Sequence, residues 1–245
     1  MTGPPIRSGW EALRADPLSW LLDEERPNLR WRTLVELVGR DPESAAVTRA
    51  RGGANAAEPV ASLLAALRPD GGWDVGASAW HRFRGPAWRM VAALDLGADP
   101  EDPRLQAAGE RVLEEAAGEG GFAPRSGGEA CPVVTARSAQ MLCALGGGRH
   151  LRVQEALAWL EEKALPAARG PRGATVAVAA LRAASECGRE SLREVAGEWL
   201  RRWIVGRSPG RAPGYGHPNL ATTDELEVLW ALARACASFN DALRP

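Results

Sequence analysis

The sequence predicts an all-α domain of helical hairpins, with an inner ring of helices wrapped by an outer ring. Three observations carry this. Alanine and leucine abound while isoleucine occurs only twice in 245 residues, a composition that favours helix over sheet. The string Gly-x-Asp-Pro-Glu occurs at 39–43 and again at 97–101. Apolar segments also alternate between two kinds. Segments 133–145 and 174–181 are apolar nearly all round, as a buried helix is, whereas 155–163 carries charge on one face, as an outer helix does.

The elements follow in order. In the recurring string, glycine supplies the left-handed residue just past a helix end. Aspartate caps the next helix, and proline occupies its first turn. Two more apolar helices end in the same way, at Leu145-Gly146 and Cys187-Gly188. The first unit therefore has helices over 20–39 and 42–68, the second of them broken at Gly52-Gly53. The second unit pairs 86–96 with 103–117, the third 132–145 with 151–165, and the fourth 174–187 with 190–203. A last helix covers 223–239. Residues 1–19 read as an N-terminal extension of a single domain spanning 1–245. Between units, Asp70-Gly-Gly-Trp73, Glu119-Gly-Gly-Phe122 and Pro213-Gly-Tyr-Gly216 each set an aromatic beside glycines. The glycines allow a sharp turn while the ring covers a helix end.

Composition narrows the function. The 30 basic and 31 acidic residues leave a net charge of −1, which argues against nucleic acid as partner. No apolar run approaches the roughly 18–20 residues of a membrane span. The start, Met1-Thr-Gly-Pro-Pro5, lacks a secretion pattern, so the expected location is cytoplasmic. Lys163 is the one lysine, and no Gly-Lys-Ser/Thr phosphate loop exists. The four cysteines, Cys131, Cys143, Cys187 and Cys236, form no Cys-x-x-Cys pair and lie far apart in sequence. That spacing argues against a disulfide framework or a zinc ribbon, and the last three read as core residues.

Two groups of residues are candidates for a site. Trp80-His-Arg-Phe-Arg84, followed by Trp88, is the densest aromatic and basic cluster, and it precedes an inner helix. Trp80, Phe83 and Trp88 could line a cavity with His81 and Arg84 at its rim, Arg84 pairing with an anionic head group. The plainer alternative is that the tryptophans are core and the arginines solvated. In the second group Cys131 opens an inner helix, with Thr135 one turn on. A helix N-terminus favours the thiolate, suiting a nucleophile or a metal ligand. His217 and Asp224 precede the last helix and could serve as acid, base or ligand, although Asp224 could equally cap that helix. Inner helices running parallel would bring Cys131, Asp224 and the Trp80 cluster to one rim. The residue types of Cys131, His217 and Asp224 are also among those that bind zinc.

The glycine-aromatic loops resemble those of the terpenoid cyclase and protein prenyltransferase superfamily, whose repeat reads Gln-x-x-x-Gly-x-Trp. Here Leu67-Arg-Pro-Asp-Gly-Gly-Trp73 matches the glycine and tryptophan with Leu67 in the glutamine position. Ala116 to Phe122 places Ala116 there and ends Gly120-Gly-Phe122. The resemblance implies an (α/α) toroid of about five helical hairpins, squalene cyclase-like in shape. It also implies a central apolar cavity for a hydrophobic, isoprenoid-like small molecule, and cyclase-like or prenyltransferase-like chemistry on it. The Asp-x-Asp-Asp acid string of the cyclases is absent. Glu129-Ala-Cys131 resembles the Asp-x-Cys zinc pair of the prenyltransferases, with His217 as the later histidine. The absence of the repeat glutamines and of the acid string favours a second class, a catalytically silent toroid that presents a surface to a protein partner.

Overall fold

The structure, a computed structural model, describes residues 17–71, 80, 85–114, 117, 119–125, 127–205, 227–233 and 235. Among these residues there is no strand. The helices are α1 (Leu18–Leu21), α2 (Pro27–Glu36), α3 (Ala45–Ala54), α4 (Val60–Ala65), α5 (Pro86–Asp95), α6 (Pro103–Leu113) and α7 (Pro132–Ala144). A 3-10 turn (Gly147–Arg149) leads to α8 (Leu151–Trp159), which runs through a π turn (Leu160–Ala164) into α9 (Leu165–Ala167). Then come α10 (Gly170–Cys187), α11 (Glu190–Val205) and, over 227–233, α12. None of the described helices is long and apolar enough to cross a membrane.

Helices α5, α7 and α10 lie side by side, and each is backed by the helix that follows it, α6, α8 and α11. The most extensive interfaces join α7 to α10, α10 to α11, and α2 to α3. The contrast between the two kinds of helix is visible in burial. Every residue of α7 from Val134 to Cys143 is buried, as is every residue of α10 from Gly173 to Leu181. In α8 only Val153, Ala156, Leu157 and Trp159 are buried, the spacing of one helical face.

Three boundaries differ from those expected. The first helix, expected over 20–39, is split: Arg26 precedes Pro27 and is forced out of helical geometry (φ −123°, ψ 61°), so α2 starts afresh with proline in its first turn. The break expected at Gly52-Gly53 falls just beyond them, at 55–59 between α3 and α4, since α3 runs through both glycines. A Cβ on Gly53 would stand 3.2 Å from the Pro27 Cβ, so this glycine brings α3 close to α2. Nor do the aspartates of the recurring string cap helices. Asp41 and Asp99 each accept the N–H two residues on, from Glu43 at 2.9 Å and Glu101 at 3.1 Å. Their carbonyls accept from Ser44 at 3.0 Å and Asp102 at 3.1 Å. The string is thus a β-turn with proline second, tightened by the aspartate side chain. The cap of α6 is Asp102, whose Oδ1 accepts the Arg104 N–H at 2.9 Å.

The glycines that end helices behave as read. Gly97, Gly146 and Gly188 all have positive φ. Ala98 N–H donates to Ala93 O and Gly97 N–H to Leu94 O, the paired bonds that close a helix C-terminus through a left-handed glycine. Gly71, which opens the glycine pair of the first glycine-aromatic loop, has φ +68°, and a Cβ there would lie 2.2 Å from the Ala107 carbonyl carbon, so Gly71 lies directly on α6.

Candidate functional site

The C-terminal halves of α2, α5, α7 and α10 converge on one cavity of about 290 Å³. Val35, Val91, Leu94, Met141 and Ala144 supply apolar wall. Pro42 and Pro100, the prolines of the two recurring turns, both line it, so the strings that stop helices also shape the cavity's edge.

Its polar groups are fixed by one another. Three donors on α2 close the C-terminus of α5: Asn28 Nδ2 to Leu96 O at 2.8 Å, Trp31 Nε1 to Gly97 O at 2.7 Å, and Arg32 Nη1 to Asp95 O at 2.6 Å. These satisfy carbonyls that a helix end leaves without partners, and Arg32 adds positive charge where the helix dipole favours it. Arg32 also holds Glu36 at 3.0 Å, and Arg182 of α10 pairs with the Asp95 carboxylate. Arg51 reaches Asp99 at 2.8 Å and Glu101 at 2.9 Å, tying α3 to the second turn. Trp230 of α12 lies under Arg182, 4.7 Å from the ring centroid, and under Arg32, 5.8 Å away.

Behind the cavity stands Arg137, 1% exposed and the largest fully buried side chain among the described residues. It donates to Gln140 Oε1 at 3.0 Å and meets Glu227 of α12 at 3.4 Å, while its Nε has no hydrogen-bond partner among the described residues. A guanidinium only donates, so this contact fixes the Gln140 amide with its oxygen toward Arg137. Gln140 lines the cavity, and its NH₂ makes no hydrogen bond among the described residues. The described lining thus offers apolar walls, the uncommitted amide donor of Gln140, and three arginines, Arg32, Arg51 and Arg182, each paired with a carboxylate. Among its described lining residues there is no serine, cysteine, histidine or lysine.

The residues expected to form the site lie elsewhere or outside the described residues. Trp80 and Trp88 are buried in the core, edge to face at 4.9 Å, with Trp88 Nε1 donating to Trp80 O at 3.0 Å. Thr135 is fully buried, and its hydroxyl accepts from Phe122 N–H at 2.8 Å and donates to Phe122 O at 3.2 Å, which fastens the second glycine-aromatic loop to α7. Cys131 is half-buried before the first turn of α7, and Glu129 is exposed. His81, Phe83, Arg84, His217 and Asp224 fall outside the described residues. No group of three or more potential metal donors occurs among the described residues. Of the expected site residues that are described, Trp80, Trp88, Glu129, Cys131 and Thr135, none lines the cavity, which sits at the opposite end of α5 and α7 from Trp88 and Cys131.

The sequence did hold a signal for part of this site. Arg137 and Gln140 interrupt a segment that is otherwise apolar all round, and a charge on a buried helix needs a partner. Arg32, Asp95 and Arg182 carry no such mark, because each looks like an ordinary charge near a helix end. Comparison with protein-family models, curated proteins and solved structures gives no match. The resemblance described above therefore stands on its loop residues alone.

Proposed function

We propose that the chain is an (α/α) toroid that binds a small, hydrophobic, isoprenoid-like molecule at the C-terminal end of its inner helices. The observation that carries this reading is the cavity of about 290 Å³, apolar-walled, with the Gln140 amide as its uncommitted donor. Ligand sites commonly combine such walls with a few fixed polar groups, and this volume is at the small end of their range. Ring closure draws support from α12, which touches α7 through Glu227, α10 through Arg182 and α2 through Arg32. In this reading Gln140 donates to a hydroxyl or carbonyl oxygen of the ligand, and the apolar body lies against Val91, Leu94 and Met141. Among the described lining residues every cation, Arg32, Arg51 and Arg182, is paired with a carboxylate, so a neutral oxygenated ligand is favoured over its diphosphate.

Titration calorimetry with farnesol and farnesyl diphosphate tests this. Farnesol is expected to bind, and Met141→Trp, which fills the cavity, is expected to weaken it at least tenfold while leaving helicity intact. Equal binding of farnesol to the wild type and the filled variant would overturn the reading.

A second reading, a toroid that docks a protein, draws on the open groove of about 740 Å³ between α9, the start of α10 and α11. Val195, Trp199 and Trp203 line that groove.

A further inference from the structure

Cys143 is the last residue but one of α7 and Cys187 is the last of α10, the two helices that share one of the most extensive interfaces. Although 44 positions apart in sequence, the two side chains adjoin at Gly148, and the Cys187 S–H lies 4.0 Å from the Ala184 carbonyl oxygen. The 3-10 turn runs against both of them. A Cβ on Gly148 would lie 2.8 Å from the Cys187 Cβ and 3.8 Å from the Cys143 sulfur, so the approach is open to glycine there. Neither cysteine is in a disulfide, and their exposure differs: Cys143 is 6% exposed, whereas Cys187 is half-buried. The geometry points to a redox-active dithiol, with Cys187 as the attacking sulfur, Cys143 as the resolving one, and a low-molecular-weight disulfide as the substrate.

The chemistry of each sulfur fits its place. The adjoining Cys143 side chain, with the Arg189 N–H and guanidinium, brings the Cys187 thiol down to about 7. A thiol that titrates near ambient pH is both sufficiently ionised and still nucleophilic. The Cys143 thiol is pushed up by that same contact, by burial and by the nearby Glu186 carboxylate, so it keeps its proton until it is needed. In the first step the Cys187 thiolate attacks one sulfur of the small disulfide. A mixed disulfide forms and one small thiolate leaves, taking a proton from water. In the second step the Cys143 sulfur attacks the Cys187 sulfur and loses its proton. The Cys143–Cys187 bond forms, and the second small thiolate departs and takes up that proton. The protein dithiol is oxidised by two electrons, and the disulfide is reduced to two thiols. The neighbours Ala144 and Glu186 line the cavity, so the new bond fastens two of its walls together.

Intact-mass analysis and peptide mapping of the full chain after incubation with oxidised glutathione test this. Wild type is expected to lose two hydrogens without retaining an adduct, and to yield a peptide pair linked through Cys143 and Cys187. Cys143→Ser is expected to stop at the first step and retain one glutathionyl group on Cys187. Cys187→Ser is expected to form no bond to Cys143. Lasting glutathionylation of wild type at Cys187, or a bond from Cys143 to any other cysteine, would overturn the proposal. So would a Cys143→Ser chain that stays unmodified at Cys187. Wild-type mapping suffices even if a variant fails to fold.

Discussion

The two copies of Gly-x-Asp-Pro-Glu fold alike locally and do different work. Each makes a β-turn with its aspartate accepting the glutamate N–H, each has its glycine at positive φ, and each lends a proline to the cavity. Around Gly39 the space is open, with no atom within 4 Å of a built Cβ. At Gly97 the same Cβ would stand 2.3 Å from the Asn28 carbonyl oxygen, because α2 lies over this turn and caps α5 through Asn28, Trp31 and Arg32. Asp41 is exposed, whereas Asp99 holds Arg51 and makes a second tie, its own N–H donating to Asn55 Oδ1 at 2.7 Å. Local sequence therefore sets the turn, and the neighbouring unit decides whether that turn becomes a structural joint.

The largest separation between the copies is expected at the glycines. Gly97→Ala adds a collision with backbone to left-handed strain and should cost roughly 3–5 kcal/mol, strain and overpacking together. Gly39→Ala should cost about 1–2 kcal/mol from the strain alone. Urea unfolding followed by circular dichroism checks both, and equal costs would mean that α2 does not rest on the second turn. The aspartates should separate less. Asp99→Ala loses a charged contact to Arg51 and is expected to cost roughly 1.5–3 kcal/mol, against about 0.5 kcal/mol or less for the exposed Asp41→Ala.

The smallest effect concerns the cap beside the second turn. Bonds from the Arg104 guanidinium and N–H, with Asn55, hold the Asp102 carboxyl below its usual range despite its burial. A depressed carboxylate stabilises the fold above its unfolded pKa of about 3.9 and loses that contribution as pH falls through the folded value. Asp102→Asn should therefore cost about 1 kcal/mol at pH 7, and its melting temperature should approach that of wild type as the pH falls below about 4. A gap that stays constant down to pH 2 would mean that the carboxylate charge plays no part.

Much of the fold was legible because it is written locally. All-round apolar runs gave α7 and α10, and glycine stops gave Gly97, Gly146 and Gly188. The split at Pro27 was legible in principle, since the residue before a proline avoids helix. The cavity was not, because it is assembled from the ends of four helices whose charges, Arg32, Asp95 and Arg182, find partners only after packing. The expectation of a site near Trp80, Trp88 and Thr135 followed the aromatic and polar residues. In the structure those three are engaged in holding core and loop together. The two thiols fell between these cases. Cys187-Gly188 and Leu145-Gly146 were read as equivalent helix ends, yet distance along the chain hid that equivalent ends of adjacent helices touch.

Labelling with a photoreactive farnesol analogue, followed by peptide mapping, tests the central claim most directly. The account predicts crosslinks on the stretches that carry Val91, Leu94 and Met141, lost on competition with farnesol. Crosslinks confined to the Trp199–Trp203 groove, or to the opposite end of α7 at Cys131, would contradict it.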